Sequence, residues 1–552
     1  MGAASEAPTL LDRAIGYVSP RWAFQRRAYR KMSSVIDEDA DYGGSSSART
    51  LDDWMAQNAS QDAHLGAGRR EKLIARSRHV ERNSGVGRSI INAIVRNDVG
   101  RGIRPRPAID GERLGITSEQ ASEYRDFLLD QWRLFVKEAP ADECGTIYDQ
   151  QAMVDRRRFV DGDCLTRISM TNRPGRRFRT VSEIVECDRI RTPMRLADNP
   201  GVRDGVVKGK GGQAIGFWVT REHPGDTGLP FHGGEFRFTR VPVWDNGIKI
   251  GSLSCSRIRP GQTRGEPVLA PVLKSLRHFD KYTEAELVAK RIESCLTGFI
   301  ERQAQFGAMG AYQTGSQSTE IEWEPGVFKG LNPGEKAHIV NPTRPGQYFE
   351  PYTYLTLRQI GSAIGMPLEL FLLDWSKSNY SNTRAGILDA IRHFEMRQAS
   401  LVDEHTRPIW VAWIEEMWLR GMLPRFVRNF YEDIELWTSA IWVPHGRKWV
   451  DPQKDGKSIE IQLDRDLSNV QIGCDELGRD WKDVARGRIE AEVWTELERA
   501  RQREDAGLPP APTPPASGEQ SAQTDATDGE GEGGEDGDGA DGDEPVAEEA
   551  GQ

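Results

Sequence analysis

The chain has 552 residues, 28% of them charged and 37% hydrophobic, with six cysteines and a formal net charge of −11. That length exceeds what one apolar core serves, so several subdomains are expected; the cysteines fall singly at 144, 164, 187, 255, 295 and 474, which excludes a disulfide framework or zinc ribbon and fits a reducing cytoplasm. No apolar segment follows the first basic residues, and runs such as "IWVAWI" (409–414) are far too short for a bilayer, so neither a signal peptide nor a membrane span is expected.

The first sixty residues carry a basic, aromatic stretch, "RWAFQRRAYRKM" (21–32), then a Gly/Ser linker, "YGGSSSART". Such a segment packs on a larger body or on a neighbouring chain. Helical spacing predicts a helix from Arg69 to the Ser84-Gly85 break, and a second in which Val86, Ile90, Ile91, Ile94 and Val95 form one stripe before Gly100. A third, capped by Ser118, presents Tyr124, Phe127, Leu128 and Trp132 to a core. From Asp161 to Ile258 the pattern changes: "DCLTRIS", "TVSEIVECDRI", "AIGFWVT", "FRFTRVPVW" and "GIKIGSL" are short, rich in β-branched and aromatic residues and separated by Gly, Pro and Asn. They predict strands of a mostly antiparallel sheet, hence an α+β body.

Helices then return. No Gly or Pro interrupts Val272 to Thr297, a span of about 39 Å as one helix, although Thr283 and Glu286 spell a capping box and Tyr282 and Leu287 a staple, which would break it near Tyr282. Leu357, Ile360 and Ile364 mark a shorter helix that Gly365 and Pro367 should stop. Beyond it, Ile387, Ile391, Phe394 and Leu401 are helically spaced, Pro408 should kink or end that helix, and Trp410, Trp413 and Met417 follow one face of the next. Between these apolar elements lies "DWSKSNYSNTRAGIL" (374–388), flexible, polar and almost uncharged. The last segment differs again: from Ala506 it holds thirteen Asp and Glu and no Lys or Arg, so the rest of the chain carries +2. With almost no large apolar side chain it should be disordered, and "DGDGADGDE" is no calcium loop, because Ala540 stands at the fifth ligand position from Asp536.

Catalytic signatures are missing. There is no P-loop; "VVKGKGG" reads as a hairpin turn, so an ATP-driven motor is not expected. Neither G-x-S-x-G nor H-E-x-x-H occurs, and His393 and His405 are spaced for a solvated helix face. Asp161 and Asp163 in "FVDGDC" could pair around a metal, while a turn explains the same residues. "RREKLIARSRHVER" and "VDRRRFV" are basic patches on helices that also carry acids, which fits ion pairs between subunits as well as nucleic-acid contacts.

Several segments, in order, resemble one family. "RHVERNSGVGRSIINAIVRNDVGRGIRP", "RPGQTRGEPVLAPVLKSLRHFDKYTEAELVAKRIESCLTGFI", "GMPLELFLLDWSKSNYSNTRAGILDA" and "HGRKWVDPQKDGKSIEIQLDRDLSNVQIGCDELGRDWKDV" are similar to blocks of lambda-type phage portal proteins, and the matches run from about residue 70 to 495. The resemblance implies a portal-type α+β subunit with wing, helical stem, small clip and helical crown, assembled as a dodecameric ring at the capsid portal vertex, through which double-stranded DNA is packaged and ejected. It implies docking of terminase and of head-completion or connector proteins, contact with the major capsid or scaffold protein, no membrane, no cofactor, no metal and no enzymatic activity. The location implied is the virion, with the host cytoplasm during assembly. On this pattern residues 1–64 are a peripheral segment, 65–270 and 384–450 the wing, 271–298 and 351–366 the stem helices, 299–350 the clip, 451–500 the crown and 501–552 the tail. Residues 367–383 form the channel loop, with Lys377, Ser378, Asn379, Tyr380, Asn382 and Arg384 nearest DNA. Many cations there would stall moving DNA, since each neutralised phosphate adds affinity. Asn382 or Thr383 can equally be read as the cap of the next helix. The rival readings are a Mg²⁺-dependent nuclease built on Asp161 and Asp163, and a monomeric nucleic-acid-binding adaptor using the basic helices.

Overall fold

Ser84 ends one helix and begins the next. Its N–H donates to the Val80 carbonyl at the end of α1 (Ala67–Asn83), and its hydroxyl accepts from the Gly87 N–H at the start of α2 (Gly85–Asp98). Strand β1 (Arg104–Pro107) follows, then α3 (Ser118–Phe135) and α4 (Ile147–Asp161). The cap of α3 is Thr117, one residue before the expected Ser118, because Gln120 bonds back to the Thr117 N–H and closes a reciprocal box. This computed structural model describes Trp22 and residues 58–226, 237–295, 299–302, 335–338, 349–377, 379–446, 452–479 and 481–506. The expectations for the N-terminal basic stretch, most of the clip and the acidic tail therefore lie outside the described residues.

The strand-rich middle forms small antiparallel sheets where one was expected. Strands β2 (Asp163–Met170), β3 (Thr180–Glu186) and β10 (Gly251–Cys255) pair in the order β10-β2-β3. A second sheet, β4-β5-β6-β7, comprises Val202–Arg203, Val206–Lys208, Ala214–Thr220 and Phe238–Pro242. The hairpin read from "VVKGKGG" is its β5–β6 turn, closed by Gly209 N–H to Gln213 O at 2.8 Å. A 3₁₀ turn at Cys187–Arg189 ends β3, and a single bridge, Ile190 to Val219, joins the two sheets. Two runs read as single strands are each broken, giving β7 and β8 (Trp244–Asp245), then β9 (Ile248–Lys249) and β10. Strands β11 (Phe299–Arg302) and β12 (Glu335–His338) pair with each other, and β1 pairs with β13 (Ala440–Val443).

Helix α5 (Leu273–Cys295) runs through Tyr282 without a break. Thr283 caps nothing: its hydroxyl donates back to the Phe279 and Asp280 carbonyls, a mid-helix use of the side chain. Next come α6 (Phe349–Ala363), the short α7 (Leu368–Leu372) and α8 (Tyr380–Leu401). Pro408 does not end the helical path. A π turn at Val402–Thr406 absorbs the irregularity and leads into α9 (Arg407–Leu419). Helices α10 (Pro452–Asp464) and α11 (Val470–Glu476) complete the first unit, which ends at Arg479; the second unit contains α12 (Trp481–Asp505).

Among the described residues of the larger unit, the two largest of four apolar cores are mainly helical. In the first, Tyr124, Leu128 and Trp132 of α3 meet Trp410, Trp413 and Met417 of α9, as their helical spacing predicted, with Phe127 half-buried beside them. Trp132 lies 5.1 Å from Trp410 edge to face, and Phe135 stacks on Trp413 at 5.2 Å between ring centroids. The second core gathers Ile90, Ile91 and Ile94 of α2, Phe159 of α4, Leu276 of α5, Leu357 and Ile360 of α6, Phe371 of α7 and Phe394 of α8. Val86 only flanks it, half-buried.

His405 corrects the sequence reading. It is fully buried in the π turn, with Nδ1 2.8 Å from the Thr166 hydroxyl on β2. His393 is half-buried. Burial lowers the His405 pKa from 6.5 to about 3, so the fold holds the neutral ring. The contribution to stability is complete above pH 6.5 and is lost as pH falls toward 3, where the unfolded chain binds the proton first. Thermal midpoints measured from pH 7 down to 5 should fall less steeply in His405→Gln than in the parent chain; parallel slopes would contradict the buried neutral ring.

Candidate functional site

The polar stretch singled out in the sequence joins α7 to α8. Leu373 closes α7 in a left-handed conformation, with φ 57°, and Asn379 opens α8 by accepting from the Asn382 N–H at 2.9 Å. The cap is thus Asn379, where Asn382 or Thr383 was expected, and the non-helical part narrows from 367–383 to 373–379. Its near end is fixed by α2: the Ser89 hydroxyl donates to the Phe371 carbonyl and Arg96 Nη2 to the Leu370 carbonyl at 3.4 Å. These bonds satisfy carbonyls that the end of a helix leaves open.

The named residues divide. Lys377, Asn379 and Asn382 are exposed on the loop and the first turn of α8. Arg384 is exposed one turn further along, Tyr380 is the first helical residue, and Ser378 lies outside the described residues. Lys377 has partners that sequence reading missed: its Nζ donates to Glu350 and sits 4.2 Å from the Tyr354 ring centroid, both on α6. Tyr354 OH donates to Asp374, which also accepts the Ser376 N–H at 3.1 Å and hydroxyl at 2.6 Å. The Ser376 and Tyr354 hydroxyls hold the Asp374 carboxyl down to about 2. No local pattern announces this cluster, since Glu350 and Lys377 are 27 residues apart.

Asp161 and Asp163 do not form a metal centre. Both are fully buried, and each is held by a guanidinium. Arg78 grips Asp161 through Nε at 2.8 Å and Nη2 at 2.9 Å. Arg264 grips Asp163 through Nε and Nη2, both at 2.7 Å, and spends its other N–H groups on the carbonyls of Cys187, Ile190 and Asp204. All five of its donors are thereby used. Gly162, between the two acids, has φ 92°, and a Cβ there would meet the Glu266 backbone at 2.4 Å, so the turn reading of D-G-D holds.

Part of the basic patches is engaged within the chain, while Arg69, Lys72, Arg76 and Arg82 stay exposed on α1. Arg156 and Arg157 both reach Glu81, at 2.9 and 2.8 Å, Arg158 donates to Ser400, and Arg70 pairs with Asp204 at 2.8 Å. Among the described residues, Glu186, Asp188 and His223 have atoms close enough to share a cation, all within 4.8 Å. Asp188 already accepts from Arg78 Nη2 at 2.6 Å, so this trio is an ion-pair cluster with arginine as its cation. No described helix is long and apolar enough to cross a membrane.

Comparison with known proteins gives this geometry its setting. The family model for phage portal proteins of the lambda family matches residues 47–398, from before α1 to near the end of α8. The chain belongs to the lambda family of phage portal proteins. It is 25% identical over 447 residues to the probable portal protein of Halomonas phage phiHAP-1, covering 79% of this chain and 83% of that one. Portal protein B of Escherichia phage lambda is 22% identical over 515 residues, with 85% and 90% covered, and the portal protein of Escherichia phage N15 is 22% identical over 501 residues, with 85% and 91% covered. Superposed on a chain from the neck of a native gene transfer agent particle, computed with C12 symmetry, it reaches a TM-score of 0.36 at 12% identity, covering 65% of this chain and 92% of that one. That likeness is too loose to argue from. As a portal protein the chain serves at the portal vertex of a phage capsid, a structural role in the virion.

The buried acids of this portal subunit are therefore structural. Burial alone would raise the Asp163 pKa, but Arg264 outweighs it and holds the carboxyl below its ordinary 3.8. The stability it supplies is complete above pH 3.8 and is lost as pH falls through the lowered value. Asp163→Ala, which strands Arg264 in the interior, should cost about 3–5 kcal/mol in denaturant unfolding. Loss of a Mg²⁺-dependent DNA cleavage at unchanged stability would instead restore the nuclease reading.

Proposed function

We propose that twelve copies of this subunit close into a ring around an axial channel for double-stranded DNA, and that the α7–α8 loop faces that channel. The observation that carries the reading is the combination of family membership with the make-up of residues 373–379. Ser376, Lys377 and Asn379 are exposed and polar beside the exposed Leu373 and Trp375, the single lysine is already paired, and the helices on both sides are anchored in the second core. A loop that must touch phosphates without retaining them needs that composition, because affinity for duplex DNA rises with each phosphate neutralised. Hydroxyl and amide groups at Ser376 and Asn382 offer weak, interchangeable contacts.

On this reading α5 (residues 271–298 of the expected plan) and α6 (351–366) are the stem, the described parts of 65–270 and 384–450 are the wing, and residues 451–500 belong to the crown. Residues 299–350 form the clip that meets terminase and the head-completion or connector proteins. The ring assembles in the host cytoplasm against the major capsid or scaffold protein, and the packaging ATPase resides in terminase. The acidic composition of the tail suits a segment that discourages nonspecific DNA binding or meets an assembly partner.

The test is Ser376→Ala combined with Asn382→Ala, neither of which removes the Asn379 cap. Ring yield should be unchanged while packaged genome per head falls several-fold. Full-length genomes packaged at the parental rate would overturn the loop assignment.

A further inference from the structure

Lys377 is the only Lys or Arg between Leu370 and Thr383. A lone cation on a loop that meets phosphates would be expected to stand clear of its own chain. Instead its ammonium donates to Glu350 and rests over the Tyr354 ring, and the Tyr354 hydroxyl in turn donates to Asp374. Counting Glu350, Asp374 and Lys377, the root of the loop carries a net charge of −1. The Lys377 and Glu350 side chains are 54% and 62% exposed. An ion pair that open to water is weak and exchanges readily, while the aromatic face keeps the ammonium near its place between exchanges.

We propose that Glu350 is a charge-masking residue. It neutralises the one lysine of the loop, so that the α7–α8 segment meets duplex DNA without a standing cation and Lys377 passes to a phosphate only in transient competition with Glu350. The inference rests on the reading that this loop faces DNA and adds to it the device that keeps its contact weak. The Glu350 hydrogen bond, which holds the lysine above its ordinary pKa, works in the same direction by keeping the ammonium charged and paired. Glu350 acts through Lys377 and is a positioning residue.

The experiment is a double-mutant cycle on rings of the full chain, measuring binding of blunt duplex DNA over a range of salt concentrations. Glu350→Gln should bind DNA several-fold more tightly than the parent and with a steeper salt dependence, by about 0.9 in logarithmic slope for each lysine newly placed on a phosphate. Lys377→Ala should differ little from the parent, and the double variant should match Lys377→Ala. A gain in Glu350→Gln that survives Lys377→Ala would overturn the proposal, because a merely structural effect of Glu350 would not depend on the lysine. Asn382→Arg, which adds an unmasked cation to the same surface, separates the two levels. Tighter binding there with no gain in Glu350→Gln overturns masking alone, and no change in either overturns the DNA-facing loop and the masking with it. Should Glu350→Gln fail to give rings, Glu350→Asp shortens the reach to Lys377 and supplies the same comparison.

Discussion

Two carboxylates either side of Gly162, Asp161 and Asp163, are removed from water and must be neutralised where they stand. An unpaired buried charge costs several kcal/mol, on the order of 3–5 when a partner is lost, so the fold is organised to bring a guanidinium to each. Arg78 comes from α1 and Arg264 from the segment before α5; together they tie the end of α4, the start of β2, the 3₁₀ turn after β3 and the approach to the long helix into one body. Gly162 makes this arrangement sterically accessible, because the Glu266 backbone occupies the space a side chain would need. What looked like catalytic equipment in the sequence is a fastening, and Arg78, one of the arginines that looked available to nucleic acid, belongs to its other half.

From that body the second core carries the order outward to the loop. Ile90, Ile91 and Ile94 of α2 pack with α5, α6, α7 and α8, and the same helix α2 also donates through Ser89 and Arg96 to the carbonyls where the loop begins. The result is a short exposed segment with rigid ends. The Lys377–Glu350 contact to α6 is exposed, whereas the flanking helices are packed in the second core, so local opening of the loop is expected before the helices loosen. On the proposed reading, that division of labour would let DNA slide past the loop while the packed helices keep their places.

How much could be read in the sequence follows from the range of each interaction. Helix α2, the aromatic faces of α3 and α9 and the β5–β6 hairpin depend on spacings of two to four residues, and they were legible. Strands β1 and β13 were not: "RPRP" and "AIWV" are four-residue strands that meet across more than three hundred positions, and proline hides the first. Arg264 and Asp163 are 101 residues apart and Lys377 and Glu350 are 27 apart, so no local pattern links either pair. His405 misled because helical spacing gives its place on the helix but not the neighbour that covers it, here Thr166 of β2. Thr283 misled for the opposite reason: the local capping signal was real, but packing of Tyr282 on Phe349 and Tyr352 favoured one unbroken helix.

Closure of the ring with the α7–α8 loop inside it decides whether the loop can meet DNA. The most direct measurement is electron microscopy of the purified full-length chain, together with its native mass. The expected result is a closed ring of about a dozen subunits, as cyclic assembly requires, with residues 373–379 lining an axial hole. A stable monomer or dimer at all concentrations, or a ring with the α7–α8 loop on its outer surface, would contradict it.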